Sequence, residues 1–130
     1  MIVVDASVVV TALVDDETWG HAVRDRLRGE SLAAPSLLDL EVVSVVRRLA
    51  RRETMTARRA GQAIADLGRL RVVRHHHARL LSRCWELRAN LTPYDAAYVA
   101  LAELLGGALI TADSRLSRAV GIRCEVELLR

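Results

Sequence analysis

Four acidic residues stand where an apolar core would not ordinarily take them. Asp5 directly follows the apolar run MIVV, and Asp113 comes two residues after the apolar run ALIT. Runs of this kind read as buried strands of a parallel sheet, so both aspartates fall at carboxyl ends of strands, the edge where open α/β sheets place their ligands. Either one taken alone also reads as a helix cap or a turn residue. Glu41 lies inside LLDLEVVSVV. That stretch is apolar enough to predict a largely buried helix, and a buried charge needs a partner, either an arginine or a cation shared with other acids. Asp95 occupies the first turn of TPYDAAYVALAE, where the helix dipole alone would accommodate it, but the small apolar residues after it put it at an inner surface. Asp39 falls near the third helical position after Ser36, where capping already accounts for an acid.

If the four acids converge, each pair about 5 Å apart repels by roughly 3 kcal/mol at an effective dielectric near 20. Such a cluster either holds protons or is neutralised by a divalent metal. No histidine or cysteine occupies these positions, so the donors are all oxygen, which favours Mg²⁺ or Mn²⁺ over zinc. A hard cation in a carboxylate pit points in turn to phosphate chemistry.

The elements that must position these groups alternate between short apolar runs and longer helical segments, the pattern of a parallel sheet with helices on both faces. Strands are expected at Ile2–Val4, Leu32–Ala34, Leu70–Arg74, Ala108–Thr111 and, at an edge, Glu125–Leu128. Helices are expected from a Ser7 cap to Leu13, over Trp19–Arg28, from Ser36 to about Arg52, over Thr56–Leu67 and His77–Ala89, from Thr92 and Pro93 to Leu105, and over Ser114–Val120. Gly29 and the Gly106–Gly107 pair supply stops. With 130 residues, 52% of them hydrophobic and 27% charged, the chain reads as one globular domain spanning 1–130. All 19 basic residues are arginine. The absence of lysine excludes a Walker-type phosphate loop, a Schiff-base enzyme and a phospho-receiver with its usual lysine. Cys84 and Cys124 show no CxxC spacing and nothing at the start reads as a signal peptide, so reduced thiols in the cytoplasm are expected. No segment approaches the roughly 18 uninterrupted apolar residues of a membrane span.

MIVVDASVVV, SLLDLEVVSVVRR, LTPYDAAYVALAE and ALITADSRL, in that order and across essentially the whole chain, resemble the PIN-domain nucleases, and most closely the VapC-type toxins of bacterial toxin-antitoxin pairs. The resemblance implies a PIN-like three-layer α/β/α domain with a parallel sheet of four to five short strands, a Mg²⁺-dependent endoribonuclease activity with Mn²⁺ as a substitute, a separately encoded antitoxin, and a homodimer. It carries the metal-site acids to Asp5, Glu41, Asp95 and Asp113, and the hydroxyls beside them to Ser7 and Thr111, which equally read as a cap and a strand-end residue. Where some relatives have a further acid, this chain has Ser114, Arg115 and Leu116. The expected mechanism has Asp5, Asp95 and Asp113 holding the ion while Glu41 positions or deprotonates the attacking water.

Setting the four acids aside raises the charge of the remainder from +3 to +7. Arg47, Arg48, Arg51 and Arg52 follow Glu41 on its helix, and Arg58 and Arg59 open the next, giving a cluster for RNA phosphates whose bland alternative is a solvated helix face. His75, His76 and His77 are consecutive, cannot all face one ion, and read as a polar loop. Trp85 reads as part of a core or dimer stripe, and Cys84 as a small buried hydrophobe. Two other functions compete. One is a PIN-like module that binds RNA or protein without cutting. The other is a haloacid-dehalogenase-like phosphatase, disfavoured because Ser7 stands where a second aspartate is needed.

Overall fold

The computed structural model describes all 130 residues. Five strands, β1 (Ile2–Val4), β2 (Leu32–Pro35), β3 (Val72–His75), β4 (Leu109–Thr111) and β5 (Val126–Leu128), form one parallel sheet in the order β3-β2-β1-β4-β5. The three central strands are buried throughout and apolar except for Thr111, whereas the edge strands β3 and β5 are partly open. This is the burial expected when both faces are covered. The helices are α1 (Ala6–Val14), α2 (Thr18–Leu27), α3 (Leu37–Arg51), α4 (Ala57–Arg69), α5 (Leu81–Glu86, after a 3-10 turn at Ala78–Leu80), α6 (Pro93–Leu105) and α7 (Ser114–Ser117). α1 packs with α2, α3 and α4, while α6 crosses β1, β2 and β4 and packs on α5.

Strand order decides where the site can form. From β1 the chain builds outward through β2 to β3, then returns to lay β4 against the other side of β1. The direction of winding therefore reverses between β1 and β4, and their carboxyl ends open on the crevice such a reversal leaves. The return is tight. Gly106 ends α6 in the left-handed region at φ 67°, and a Cβ on Gly107 would come within 2.3 Å of the Met1 carbonyl oxygen. Over Ala96–Ala102 every residue of α6 is buried, and four of those seven are alanines, which lets the helix lie close to the sheet.

Several expectations need correction. The cap of α1 is Asp5, whose carboxylate accepts from the Val8 N–H, so the helix starts before Ser7 and that hydroxyl is released for other bonds. Helix α3 is amphipathic rather than largely buried: Leu38, Val42 and Val46 face the core while Leu40 is 75% exposed, leaving Glu41 at the boundary. The helix expected over His77–Ala89 is broken into the 3-10 turn and the short α5. Its helical phase buries Leu80 and Leu87 and turns Trp85 outward, 67% exposed. Cys84 is only partly buried. Asp39 is structural as expected, with its carboxylate held by the Arg74 guanidinium at 2.9 Å. The histidines also act on the backbone, since His77 Nε2 accepts from the Leu37 N–H at the start of α3. No helix is long and apolar enough to cross a membrane.

Candidate carboxylate site

Asp5 is the floor of the site. It sits one residue beyond β1, 6% exposed. Its Oδ1 accepts from Ser7 Oγ at 2.6 Å and from the Val8 N–H at 3.1 Å, and its Oδ2 accepts from Thr111 Oγ1 at 2.5 Å. The directions of these bonds are forced. Ser7 Oγ already accepts from the Ala112 N–H and Thr111 Oγ1 from the Asp113 N–H, each at 3.0 Å, so both hydroxyl protons are free to point at Asp5. A carboxylate offers about four acceptor positions, and the three bonds leave room for one further partner. Burial pushes the Asp5 pKa up. The Ser7, Thr111 and Val8 bonds pull against that, and the nearby charge of Asp113 adds to it.

Asp113 lies on the rim, two residues beyond β4 and only partly buried. It caps α7, its Oδ1 accepting from the Arg115 and Leu116 N–H groups at 2.9 and 3.4 Å. Its Oδ2 meets the Arg115 guanidinium at 3.1 Å, and the same guanidinium nitrogen reaches Asp95 Oδ2 at 3.3 Å. Desolvation is the largest single influence on Asp113 and would raise its pKa, but the bonds from the Arg115 side chain and the two backbone N–H groups outweigh it, and the net shift is downward. Asp95 is held in the first turn of α6, where its N–H donates to the capping Thr92 hydroxyl. Burial raises its pKa, Arg115 lowers it and Asp113 raises it again.

Glu41 approaches from α3. Its Oε1 accepts from the Tyr98 hydroxyl at 2.5 Å, a bond between α3 and the second turn of α6. Burial raises the Glu41 pKa, the Tyr98 bond lowers it, and the charges of Asp95 and Asp5 raise it. Glu41 thus feels two of the other acids, and Asp5 and Asp95 each feel Asp113. The structure brings all four into one electrostatic field, with Ser7 and Thr111 both bonded to Asp5. No arginine pairs with Asp5 or Glu41. One exposed guanidinium, that of Arg115, serves two of the four acids.

Two members of the site were not singled out from sequence for these contacts. Tyr98 had the signal of a hydroxyl one turn beyond Asp95 on the same helix face. Arg115 had none beyond its place in ADSRL, because its reach to Asp95 depends on α6 and α7 meeting. As they stand, no three acid, histidine or cysteine side chains are gathered tightly enough to form a ready-made ligand shell. The donor set nevertheless suits a hard divalent cation: the donors are all oxygen, Asp5 keeps a vacant acceptor position, and a cationic stand-in is already drawn between Asp95 and Asp113.

Arg47, Arg48, Arg51 and Arg52 line one depression with Ser44, continuing the exposed side of α3 away from Glu41. None of the four forms an ion pair with an acid. Arg59 is used differently, bonded to the Leu13 carbonyl at 2.7 Å and to Asp16 at 3.3 Å.

The family profile described as "PIN domain" matches residues 2–122. Among curated proteins, the chain is 45% identical over 129 residues to ribonuclease VapC9 of Mycobacterium tuberculosis, covering 99% of this chain and 98% of that one. Among solved structures, it is similar to M. tuberculosis VapC20, described as a sarcin-ricin loop cleaving toxin, with a TM-score of 0.68 at 19% identity, covering 95% of this chain and 97% of the other. It is also similar to a chain of VapBC2 from Rickettsia felis, a complex bound to a promoter DNA fragment, with a TM-score of 0.69 at 16% identity and full coverage of both chains. At those identities the two structural likenesses speak for the fold.

Proposed function

The chain belongs to the PIN-domain family, among its VapC ribonucleases, and from that premise we propose that it is a metal-dependent endoribonuclease, the toxin of a toxin-antitoxin pair, working as one domain over 1–130. Nucleases of this family depend on a divalent metal ion. The observation that carries the reading is the meeting of Asp5, Glu41, Asp95 and Asp113 in one field with only a single shared, exposed guanidinium to offset them. A merely binding surface gains nothing from such repulsion.

In this reading Asp5, Asp95 and Asp113 would hold Mg²⁺, or Mn²⁺ in its place. Such an ion supplies polarisation of the scissile phosphate and neutralises charge developing on the leaving oxygen. Glu41 accepts a proton from the attacking water at its carboxylate; that water's oxygen bonds to phosphorus while the bond to the leaving oxygen breaks. Burial brings the Glu41 pKa closer to neutrality, which suits a general base. Tyr98 fixes the direction of that carboxylate, and Ser7 and Thr111 hold Asp5 in its acceptor form. Arg115, once released from Asp95 and Asp113, is free to meet a phosphate of the substrate. Arg47, Arg48, Arg51 and Arg52, unpaired and adjacent, suit the RNA backbone further along α3. The proposed protein partners are a cognate antitoxin and a second copy of the chain, and the exposed Leu40 and Val43 are apolar side chains that such a partner would cover.

The test is cleavage of an internally labelled RNA with Mg²⁺, with Mn²⁺ and with a chelator, alongside a phosphomonoester assay. Internal cuts that need the ion, with no phosphatase activity, are the expected result. RNA that is bound but left intact at every metal concentration would identify a binding module instead.

A further inference from the structure

One groove beside the carboxylates has no role in the reading above. Trp85 stands on the outer face of α5 with 67% of its surface exposed. Just beyond the helix, Arg88 lays its guanidinium 4.3 Å from the centre of the indole ring while donating to the Trp85 carbonyl at 2.9 Å. The pair lines a groove of about 910 Å³ that also takes in Arg118 and Val120 and reaches Asp95 and Arg115 of the site itself. A volume of this size is in the range that encloses an organic ligand.

Charge selects the occupant. The groove carries three arginines against one acid, and neither Arg88 nor Arg118 has an acidic partner. A second copy docking with this groove on the two-fold axis would set the patch against itself and bring like charges together. Single-stranded RNA offers what the groove lacks, namely phosphates for the guanidinium groups and a base face for an indole already stiffened by its stacked arginine. Continuity with Asp95 and Arg115 puts that strand next to the bond being cut.

We propose that this groove seats the single-stranded RNA immediately beside the scissile phosphate, with one base stacked on the Trp85–Arg88 pair and a backbone phosphate on Arg118. The inference rests on the ribonuclease reading of the neighbouring site.

The experiment has a binding arm and a cleavage arm. In the Asp5→Asn background with chelator present, anisotropy of a fluorescein-labelled oligouridylate of about twelve nucleotides measures binding without cutting. Trp85→Ala weakens that binding about tenfold, and Trp85→Phe, which keeps a ring to stack on, restores most of it. With Asp5 intact and metal added, Trp85→Ala raises KM far more than it changes kcat and alters which bond in a longer RNA is preferred. Binding by Trp85→Ala within about twofold of its parent overturns the proposal. So does a dimer that becomes monomeric in that variant while RNA binding per chain is kept, because a second copy then occupies the groove. If the chain cuts RNA and Trp85→Ala changes nothing, the groove assignment falls alone. If RNA is never cut yet binding still depends on Trp85, the ribonuclease reading falls and the groove stands as an RNA seat.

Discussion

Asp5 and Asp113 each follow a strand, and the two strands are neighbours in the sheet, yet their carboxylates are displaced in opposite directions. Asp5 lies at the end of the central strand β1 beneath the helices, where burial raises its pKa against three hydrogen bonds. Asp113 lies beyond β4 at the rim, where the bonds from Arg115 and two backbone N–H groups overcome desolvation. The same local motif, an acid after a buried strand, thus makes a strained floor in one place and a relaxed rim in the other. For Asp5 the raised folded value means that its contribution to stability is fully present below the ordinary 3.8 and is lost as pH rises through the folded pKa. For Asp113 the contribution is present above 3.8 and is lost as pH falls through its lowered folded pKa.

The largest effect is expected at the floor. Asp5→Asn keeps an oxygen for the Val8 N–H but removes the charge, so RNA cleavage falls to background, well beyond the 10–100-fold typical of residues that orient a metal ligand. Because the amide nitrogen would face the Thr111 hydroxyl proton, the variant loses that bond, but it also loses the titration of Asp5, so its metal-free melting temperature relative to the parent rises with pH; calorimetry showing a gap that does not change with pH would break the contrast with Asp113. Thr111→Val, which deletes one donor to Asp5 while keeping the buried shape, lowers activity by about 10–100-fold. Tyr98→Phe removes the bond that holds the Glu41 pKa down, so the acidic limb of the kcat/KM profile moves to higher pH. An unmoved limb would take the base role from Glu41. At the rim, Arg115→Gln removes a competing cation and tightens Mn²⁺ binding a few-fold, the scale of an exposed ion pair, as read by titration calorimetry. Weaker binding in that variant would show that the arginine supports the ion rather than competing with it. The smallest change is Arg48→Ala, which reduces the slope of log binding constant against log salt for single-stranded RNA by about 0.7 and leaves kcat alone.

Much of this was legible in the residues. Unalternating apolar runs gave away the buried strands, because a strand covered on both faces has no reason to alternate, and Thr92–Pro93 and Gly106 marked the ends of α6 by their backbone preferences. Misreadings came where helical phase rather than period mattered. The leucines and Trp85 around α5 have the right spacing for a core or dimer stripe, but which side is inward depends on α6 beneath it: Leu80 and Leu87 are buried while Trp85 is exposed, so the core half of that reading fails for Trp85. The cap expected at Ser7 fails for a local reason: Asp5, two residues earlier, accepts from the Val8 N–H and starts the helix at Ala6, which puts Ser7 inside the first turn.

By itself the sequence determined which residue types exist to do chemistry and where along the chain they fall: four acids, no lysine, and a run of arginines behind Glu41. Composition and local preference are properties of short segments, so they survive without knowledge of the fold. Only the tertiary structure decided that β4 returns beside β1, which makes two acids more than a hundred residues apart share a crevice, and that Tyr98 and Arg115 join them. Those contacts span different elements, and their geometry follows from how layers pack, a property no stretch of chain carries alone.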